Sequence, residues 1–338
     1  MKFYTNRLGV QLALVTAVAL GTPGIKSQEK DSSTGVQVHL VVTVEPLQGA
    51  DSAVAALVKE DVKVQQRKDI LPVTQWIPSR GENAGLQLFI LIDDTSDTSL
   101  GLQLDDLRAF INAQPATTWI GVGYMRNNAV NIVQNFTTDH AAAAKMLRMP
   151  LGSIGASDSP YLSLISLLKG WPENKLRREV LMVTDGIDRF RGNPYGSGVV
   201  PGGRGYSGMG GASSMLYLSP DVDSASTAAQ RYGVIVHTIY TVGVGHAGRN
   251  FFLATSGQNG IAKLADETGG ESYFLGVRNA ISFKPYLERL QMILDNQYYL
   301  VFVARPDKKD GLQRIKISTE VPKLEIGSAD NVWVPGAK

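Results

Sequence analysis

The hydrophobic and polar positions at the two ends of the chain follow the same pattern. Residues 36–44 and 62–77 alternate between apolar and polar with a period of two, and the alternation returns from Gln297 onward. This period is typical of half-buried β-strands. We therefore predict β-rich segments at both ends, and we expect them to pack together as a small subdomain.

The middle of the chain alternates between buried strands and helices. Residues 86–92, 178–186 and 234–243 contain long apolar runs, typical of strands that are buried on both faces. Between these strands, apolar residues recur at helical spacing. This alternation of strands and helices favours a mostly parallel sheet with helices on both faces. Two strands within 117–136 are joined by a short polar turn, so we expect one antiparallel edge strand. The predicted fold class is α/β, doubly wound, with a mostly parallel six-stranded sheet plus the β-rich subdomain.

Local signals predict where several helices begin and end. Ser159 followed by Pro160 is a helix start signal. Thr138 is expected to cap a helix that continues through Met149. A later helix is expected to start near Asn259, because the glycine-containing segment before it is a poor helix start.

The first 24 residues have the pattern of an export signal. Lys2 and Arg7 form a basic start, residues 8–20 are apolar or small, and residues 19–21 provide a plausible cleavage site. The alternative is an N-terminal anchor helix, but the apolar run is shorter than the roughly 20 residues that span a bilayer. We predict a periplasmic or secreted protein whose mature chain has no transmembrane span.

Composition and charge describe an ordinary globular protein. The chain has 338 residues, of which 43% are hydrophobic and 19% charged, and a formal net charge of +2. It has no long run of like charges, so we predict no nucleic-acid partner. It has no cysteine, which excludes disulfides and thiolate ligands. The predicted parts are a signal peptide (1–24), an N-terminal β-rich segment (25–82), an α/β domain (83–296) with a flexible glycine-rich insertion (191–216), and a C-terminal β-rich segment (297–338).

Hard oxygen ligands follow the ends of two buried strands. Asp94, Ser96 and Thr98 have the spacing D-x-S-x-T after the first strand, Asp185 ends the next, and Asp158 lies in a loop between them. Because the carboxyl ends of parallel strands meet at one edge of a sheet, we expect these side chains to lie close together. Such an oxygen-only set suits Mg²⁺, with Mn²⁺ and Ca²⁺ as alternatives, better than zinc. The other interpretation is that these residues only cap loops and helices.

Enzymatic interpretations fit the residues less well. Residues 243–248 match G-x-G-x-x-G after a strand, but that fingerprint needs a helix that opens on its last glycine. We therefore predict no bound nucleotide. The histidines are scattered over different elements, so no Ser/His/Asp set can be assembled from spacing. We predict that the protein is not an enzyme.

Four stretches together resemble a von Willebrand factor A domain, especially the related version found in exported bacterial proteins. They are FILIDDTSDTS, REVLMVTDGID, IAKLADETGGESYF and the terminal helix that leads into YYLVFVA. The resemblance covers residues 83–305 and implies a Rossmann-like fold with a metal-ion-dependent adhesion site. In that family the site consists of D-x-S-x-S, a threonine on a second loop and an aspartate on a third. The resemblance places these ligands on Asp94, Ser96 and Thr98, and the last aspartate on Asp185.

Two departures from the family pattern leave the metal site open. Asp158 stands where the family has its threonine, with Ser157 and Ser159 as the hydroxyl alternatives. Asp93 directly ends the apolar run and is the rival first ligand, although the register at Asp94 is the one that aligns both hydroxyls.

The resemblance implies an exported, non-enzymatic, adhesion-type module that binds a protein partner. A Mg²⁺ ion at the strand tips would engage a carboxylate of that partner. The alternative is a metal-independent structural or assembly component of the cell envelope, in which the metal site is degenerate.

Overall fold

The fold is described by a computed structural model. The described residues are 35–47, 57–154, 158–190, 218–245, 250–274, 276 and 278–337. The predicted signal peptide and the predicted glycine-rich insertion lie outside these residues, so both stay predictions.

Strands and helices alternate through the centre of the chain, and strands alone fill both of its described ends. The strands are β1 (Val36–Pro46), β2 (Val62–Gln66), β3 (Asp69–Leu71), β4 (Val73–Pro78), β5 (Leu86–Asp93), β6 (Thr118–Arg126), β7 (Ala129–Thr137), β8 (Arg177–Thr184), β9 (Val234–Tyr240), β10 (Ser272–Tyr273), β11 (Gln297–Ala304), β12 (Gly311–Thr319), β13 (Leu324–Gly327) and β14 (Asn331–Val334). The helices are α1 (Leu104–Asn112), α2 (His140–Lys145), α3 (Pro160–Lys169), α4 (Pro220–Tyr232), α5 (Phe251–Thr268) and α6 (Lys284–Asp295). Among these, no helix is long and apolar enough to cross a membrane.

The central sheet has six strands in the order β10-β9-β8-β5-β6-β7. Strand β5 lies in the middle and runs parallel to β6 and β8, and β8 runs parallel to β9. Strand β7 pairs with β6 in the antiparallel direction and forms one edge. The predicted fold class is therefore confirmed, including the antiparallel edge strand.

Alternate residues of β5 pack against different sets of helices. Leu88, Ile90 and Ile92 belong to a core that includes residues of α1, α2 and α6. Phe89 and Leu91 belong to the other core, which includes residues of α3, α4 and α5. This alternation follows from the strand geometry, because successive side chains point to opposite faces. The same alternation determines on which face of the central sheet each residue that follows β5 lies.

The two ends of the chain pack together as a β-sandwich, as predicted. One sheet has the order β13-β1-β11-β4 and the other has the order β14-β12-β2-β3. Val42, Val64, Phe302 and Ile317 are among the residues that share its core. The segment 62–77, predicted to be β-rich, contains β2, β3 and most of β4.

Helix α2 is shorter than predicted and has a different cap. Asp139, rather than Thr138, accepts a hydrogen bond from the Ala142 amide over 2.9 Å, and the helix ends at Lys145 rather than Met149. The reason lies in tertiary contacts, because Asp94, directly after β5, and Tyr124 of β6 hold the residues that follow Lys145 in a loop.

Helix α5 begins earlier than predicted. Asn250 caps it, and the helix continues through Gly257 and Gly260. A Cβ atom on Gly257 would lie 2.1 Å from the backbone oxygen of Asp185, and a Cβ atom on Gly260 would lie 2.2 Å from the hydroxyl oxygen of Tyr161. Gly257 therefore lets the helix approach the loop after β8, and Gly260 lets it approach Tyr161 of α3. Helix propensity does not include either benefit.

Candidate functional site at the carboxyl ends of the central strands

Asp93 ends β5, and its carboxylate is buried among hydroxyl groups. The Thr95 hydroxyl and the Thr95 amide donate to Asp93 Oδ1 over 2.7 and 2.9 Å. The Thr184 hydroxyl, at the end of β8, donates to Asp93 Oδ2 over 2.7 Å. Both carboxylate oxygens of Asp93 therefore have partners, which come from two neighbouring strand ends.

The surroundings of Asp93 disfavour its charged form. Burial raises the pKa of Asp93 from 3.8 to about 6, and the charge of Asp185 adds to this rise. Arg189 and the two threonine hydroxyls lower the pKa of Asp93, but they offset only part of the effect of burial. Asp93 thus holds a proton at a pH at which an exposed aspartate has lost it.

Asp185 directly follows β8 and is bound by Arg189 from the same loop. Arg189 Nη1 donates to Asp185 Oδ1 over 3.2 Å, and Arg189 Nη2 donates to Asp185 Oδ2 in a short contact. The Ile187 amide donates to Asp185 Oδ1 over 2.9 Å. Because the Asp185 side chain is 0% exposed and the Arg189 side chain is 10% exposed, this is a buried ion pair.

The same guanidinium links the two strand-end aspartates. Arg189 Nη1 donates to the Thr95 hydroxyl over 3.2 Å, and that hydroxyl in turn donates to Asp93. One cation therefore contacts Asp185 directly and reaches Asp93 through Thr95.

Asp158 adds a third acidic side chain near this cation. Burial by itself would lower the pKa of Arg189, but the charge of Asp185 raises it, and Asp93 and Asp158 act in the same direction. The net result is a pKa above the ordinary arginine value. The Arg189 amide donates to the Asp158 carbonyl over 2.8 Å, and Asp158 Oδ1 accepts a hydrogen bond from the Asn127 amide over 2.7 Å.

Asp94 faces away from this network. Arg148 Nη1 and Nη2 donate to Asp94 Oδ1 and Oδ2 over 2.7 and 2.9 Å, so the pair is bidentate. The Leu151 amide also donates to Asp94 Oδ1, and the Arg148 guanidinium lies 3.8 Å from the centre of the Tyr124 ring. Asp94 therefore holds the loop that follows α2. Of the two possible registers, the geometry favours Asp93 over Asp94 as the aspartate that accompanies Asp185.

Ser96 pairs through its backbone with Gly243, whereas Thr98 lies in a separate, exposed turn. Ser96 is buried, and its hydroxyl makes no hydrogen bond with any described residue. Thr98 is exposed in a short 3-10 turn that Asp97 caps through the Ser99 amide. Of the five predicted ligands, the structure thus brings Asp158 and Asp185 to the same place, and it does not bring Asp94 or Thr98 there. Ser157 lies outside the described residues.

Backbone contacts fix the loops around the site. The Asp97 amide donates to the Val242 carbonyl over 2.8 Å, and the Val244 amide donates to the Thr95 carbonyl over 2.9 Å. Gly243 lies between these contacts and packs directly on the ion pair. The loops after β5 and β9 therefore form one rigid unit over Asp185.

The residues do not fit a divalent cation in this arrangement. Both oxygens of Asp185 bind the Arg189 guanidinium, which also occupies the approach to Thr95. On the other side, a Cβ atom on Gly243 would lie 1.7 Å from Asp185 Oδ2 and 2.7 Å from Arg189 Nη2. Across the part of the chain that the structure describes, no three acidic or histidine side chains form a group that could hold a metal ion.

The sequence contained signals for three residues that the spacing argument missed. Thr95 follows Asp93 by two positions, as the first hydroxyl follows the aspartate in D-x-S-x-S. Thr184 directly precedes Asp185. Arg189 is four residues after Asp185, and a cation was to be expected there because two buried carboxylates need a partner charge.

Comparisons with known proteins reveal a distant likeness. No family model matches the chain, and no curated protein matches it. A solved aerotolerance-related membrane protein from Bacteroides fragilis is 9% identical over 62% of this chain and 99% of that chain, with a TM-score of 0.41. BatB from Bacteroides thetaiotaomicron is 12% identical over 62% and 97%, with a TM-score of 0.37. A von Willebrand factor type A protein from Catenulispora acidiphila is 8% identical over 92% and 76%, with a TM-score of 0.42.

Structures of von Willebrand factor A domains are thus among those to which this chain is similar. At these identities the likeness concerns the fold alone.

Proposed function

We propose that this von Willebrand factor A-like protein is a non-enzymatic binding module, and that it binds a protein partner without a metal ion. The binding surface consists of the loops at the carboxyl ends of the central strands. The partner that fits this surface is a protein with an apolar contact face.

Exposed apolar side chains on these loops are the observation that carries the proposal. Leu102 is 81% exposed, Met149 58%, Leu151 53% and Ile281 97%. We call these four residues the apolar edge surface. Large apolar residues concentrated on one exposed surface are typical of protein interaction sites.

Neighbouring contacts bring the members of the apolar edge surface together. A Cβ atom on Gly101 would lie 2.9 Å from the Met149 side chain, so Met149 lies against the turn that carries Leu102. The Gln103 side chain donates to the Ile281 carbonyl over 3.3 Å. The loops after β5, α2 and β10 thus contribute to one region.

Charge also favours an apolar partner over an acidic one. Arg148 neutralises Asp94, and Arg189 neutralises Asp185, so each of these two carboxylates has a partner from within the chain. Because these ion pairs are satisfied internally, their charges contribute little to the recognition of a partner. The apolar side chains around them are left as the main source of binding energy.

His140 and His237 both have partners away from this edge of the sheet. His140 Nε2 is bonded to the Thr118 carbonyl, at the start of β6 and not at its carboxyl end. His237 is buried against Glu179 within β9.

Binding is tested with the full chain and two sets of surface variants. Immobilised wild-type protein is used to capture a partner from an envelope extract of the source cells. The edge variant combines Leu102→Ser, Met149→Ser and Ile281→Ser. The control variant combines Ile70→Ser and Ile132→Ser, which change exposed residues of β3 and β7 away from the edge. Each set changes the free energy of unfolding little, since exposed substitutions stay within about 0.5 kcal/mol each.

The expected result is that the edge variant loses the captured partner, whereas the control variant retains it. Addition of EDTA is expected to leave capture by the wild type unchanged. Capture that survives in the edge variant would contradict the proposed surface, and capture that EDTA abolishes would contradict metal independence.

Export is part of the same proposal, and it rests on the N-terminal pattern of Lys2, Arg7 and the apolar residues 8–20. After expression of the full gene, mass spectrometry is expected to identify a mature chain that begins near residue 25. An intact N-terminus on the folded, fractionated protein would instead indicate that the segment is retained.

A further inference from the structure

We infer that the guanidinium of Arg189 is the resident cation of the strand-tip site, and that a divalent cation can bind there only when this guanidinium is removed. Which cation occupies this site does not depend on which partner binds the apolar edge surface.

The first step is the charge that the fold buries. Asp93 and Asp185 are 3% and 0% exposed and come from adjacent strands, β5 and β8. Burial of carboxylates is strongly unfavourable without a nearby positive charge. The raised pKa of Asp93 reduces the charge, but Asp185 still needs a cation, and Arg189 is the cation that contacts it.

The second step is the position of the guanidinium. It contacts both oxygens of Asp185 and the Thr95 hydroxyl, and Thr95 bonds Asp93. A carboxylate, a hydroxyl and a second carboxylate behind it form the kind of oxygen-only set that Mg²⁺ and Mn²⁺ prefer. The planar fork of arginine satisfies a carboxylate equally well through two parallel hydrogen bonds.

The third step is that this cation is tethered. Arg189 is four residues after Asp185, and its amide is bonded to the Asp158 carbonyl, so the side chain cannot diffuse away. An intramolecular group on a short tether acts at an effective concentration of millimolar or more. A free ion must therefore compete with a partner that is always present.

The fourth step is the space that would open. Truncation of Arg189 to alanine removes the guanidinium and leaves Asp185, Thr95 and Asp93 around the vacated volume. Gly243 continues to close the opposite side. The oxygen donors then have room for a hydrated divalent cation, which keeps several of its waters.

The test measures Mn²⁺ binding by electron paramagnetic resonance and Mg²⁺ binding by thermal shift on the full chain. The variants are Arg189→Ala, Arg189→Met, Arg189→Lys and the double variant Arg189→Ala with Asp185→Asn. Methionine keeps the apolar stem without charge, lysine keeps the charge, and the double variant removes the main carboxylate.

We expect Arg189→Ala and Arg189→Met to bind one Mn²⁺ at least about tenfold more tightly than the wild type, because the tethered competitor is gone. Millimolar Mg²⁺ should raise the melting temperature of these two variants. It should not raise the melting temperature of the wild type, of Arg189→Lys or of the double variant.

Two results would overturn the inference. One is stoichiometric Mn²⁺ binding by the wild type at the same affinity as Arg189→Ala, since the ion would then displace the arginine freely. The other is a folded Arg189→Ala or Arg189→Met that binds no ion. If both neutral variants unfold, they are refolded with and without Mg²⁺. Refolding that depends on Mg²⁺ supports the inference. Refolding, or failure to refold, that does not depend on Mg²⁺ opposes it.

Discussion

At the scale of single residues, Asp93 links protonation to the stability of the fold. The pKa of Asp93 is about 6 in the folded protein and 3.8 for an ordinary aspartate. The folded state therefore binds more protons than the unfolded state between these values. It follows that the contribution of Asp93 to the free energy of unfolding is greatest below about pH 4 and is lost as the pH rises through 6.

Asp93→Asn should remove this pH dependence. The free energy of unfolding of the variant minus that of the wild type is expected to rise by about 2 to 3 kcal/mol between about pH 4 and pH 7, since two pKa units correspond to this energy. Urea denaturation in EDTA at several pH values measures it. Asp105→Asn, on the exposed surface of α1, serves as the control and should show a change within about 0.5 kcal/mol. An unchanged difference for Asp93→Asn across this range would refute the assignment.

The distinction between Asp93 and Asp94 shows what a sequence can predict at this scale. Both aspartates were recognisable at the end of an apolar strand, and the edge of the sheet to which they belong was predictable from strand order. Their faces are opposite, because Asp93 continues the alternation of Phe89 and Leu91. The partner of each was not predictable, because Arg148 and Arg189 reach them from loops whose paths the local pattern does not encode.

At the scale of elements, helix α5 shows a conflict between local propensity and packing. Glycine inside a helix costs about 1 kcal/mol relative to alanine, and the sequence around Gly257 accordingly predicts a break. The structure instead continues the helix, because Gly257 lies against the backbone of Asp185. Strands with long apolar runs were easier to predict, since burial on both faces leaves little choice of conformation.

Gly257→Ala tests which of the two effects is larger. Propensity alone predicts an increase in stability of about 1 kcal/mol. The close approach to the Asp185 carbonyl predicts a decrease, and we expect a net loss of about 2 to 3 kcal/mol, as for other overpacked sites. The free energy of unfolding from urea denaturation measures the sign. Thr255→Ala, at a half-exposed position of the same helix, should stay within about 0.5 kcal/mol; a stabilised Gly257→Ala would show that the helix can move away.

At the scale of the molecule, Arg177 joins the central sheet to the β-sandwich. It is buried at the start of β8. Its guanidinium donates to the Ala84 and Leu294 carbonyls over 2.9 Å each and to the Gln297 side chain over 2.5 Å. These acceptors lie just before β5, in α6 and at the start of β11, so one residue connects both parts of the fold.

Arg177→Met should therefore destabilise both parts together. We expect a loss of about 3 kcal/mol, because three acceptors, two of them buried, lose a charged donor. Native-state hydrogen exchange at Val42 in β1 and Ile90 in β5 should report the same reduction. Arg178→Met, whose partners are Tyr232 and Asn174 within the α/β part, is the matched control and should cost less. A reduction confined to Val42 would indicate that the sandwich unfolds by itself.

The arrangement of β1 also sets an order in time for chain assembly. Both neighbours of β1 in its sheet, β11 and β13, come from residues after 296, and β4 likewise pairs with β11. A chain that emerges from its N-terminus leaves these early strands with unpaired edges until its last segment arrives, and such edges invite aggregation. The sandwich cannot close before the α/β core has emerged. Strand β1, the first described strand of the chain, is therefore among the last strands to be paired.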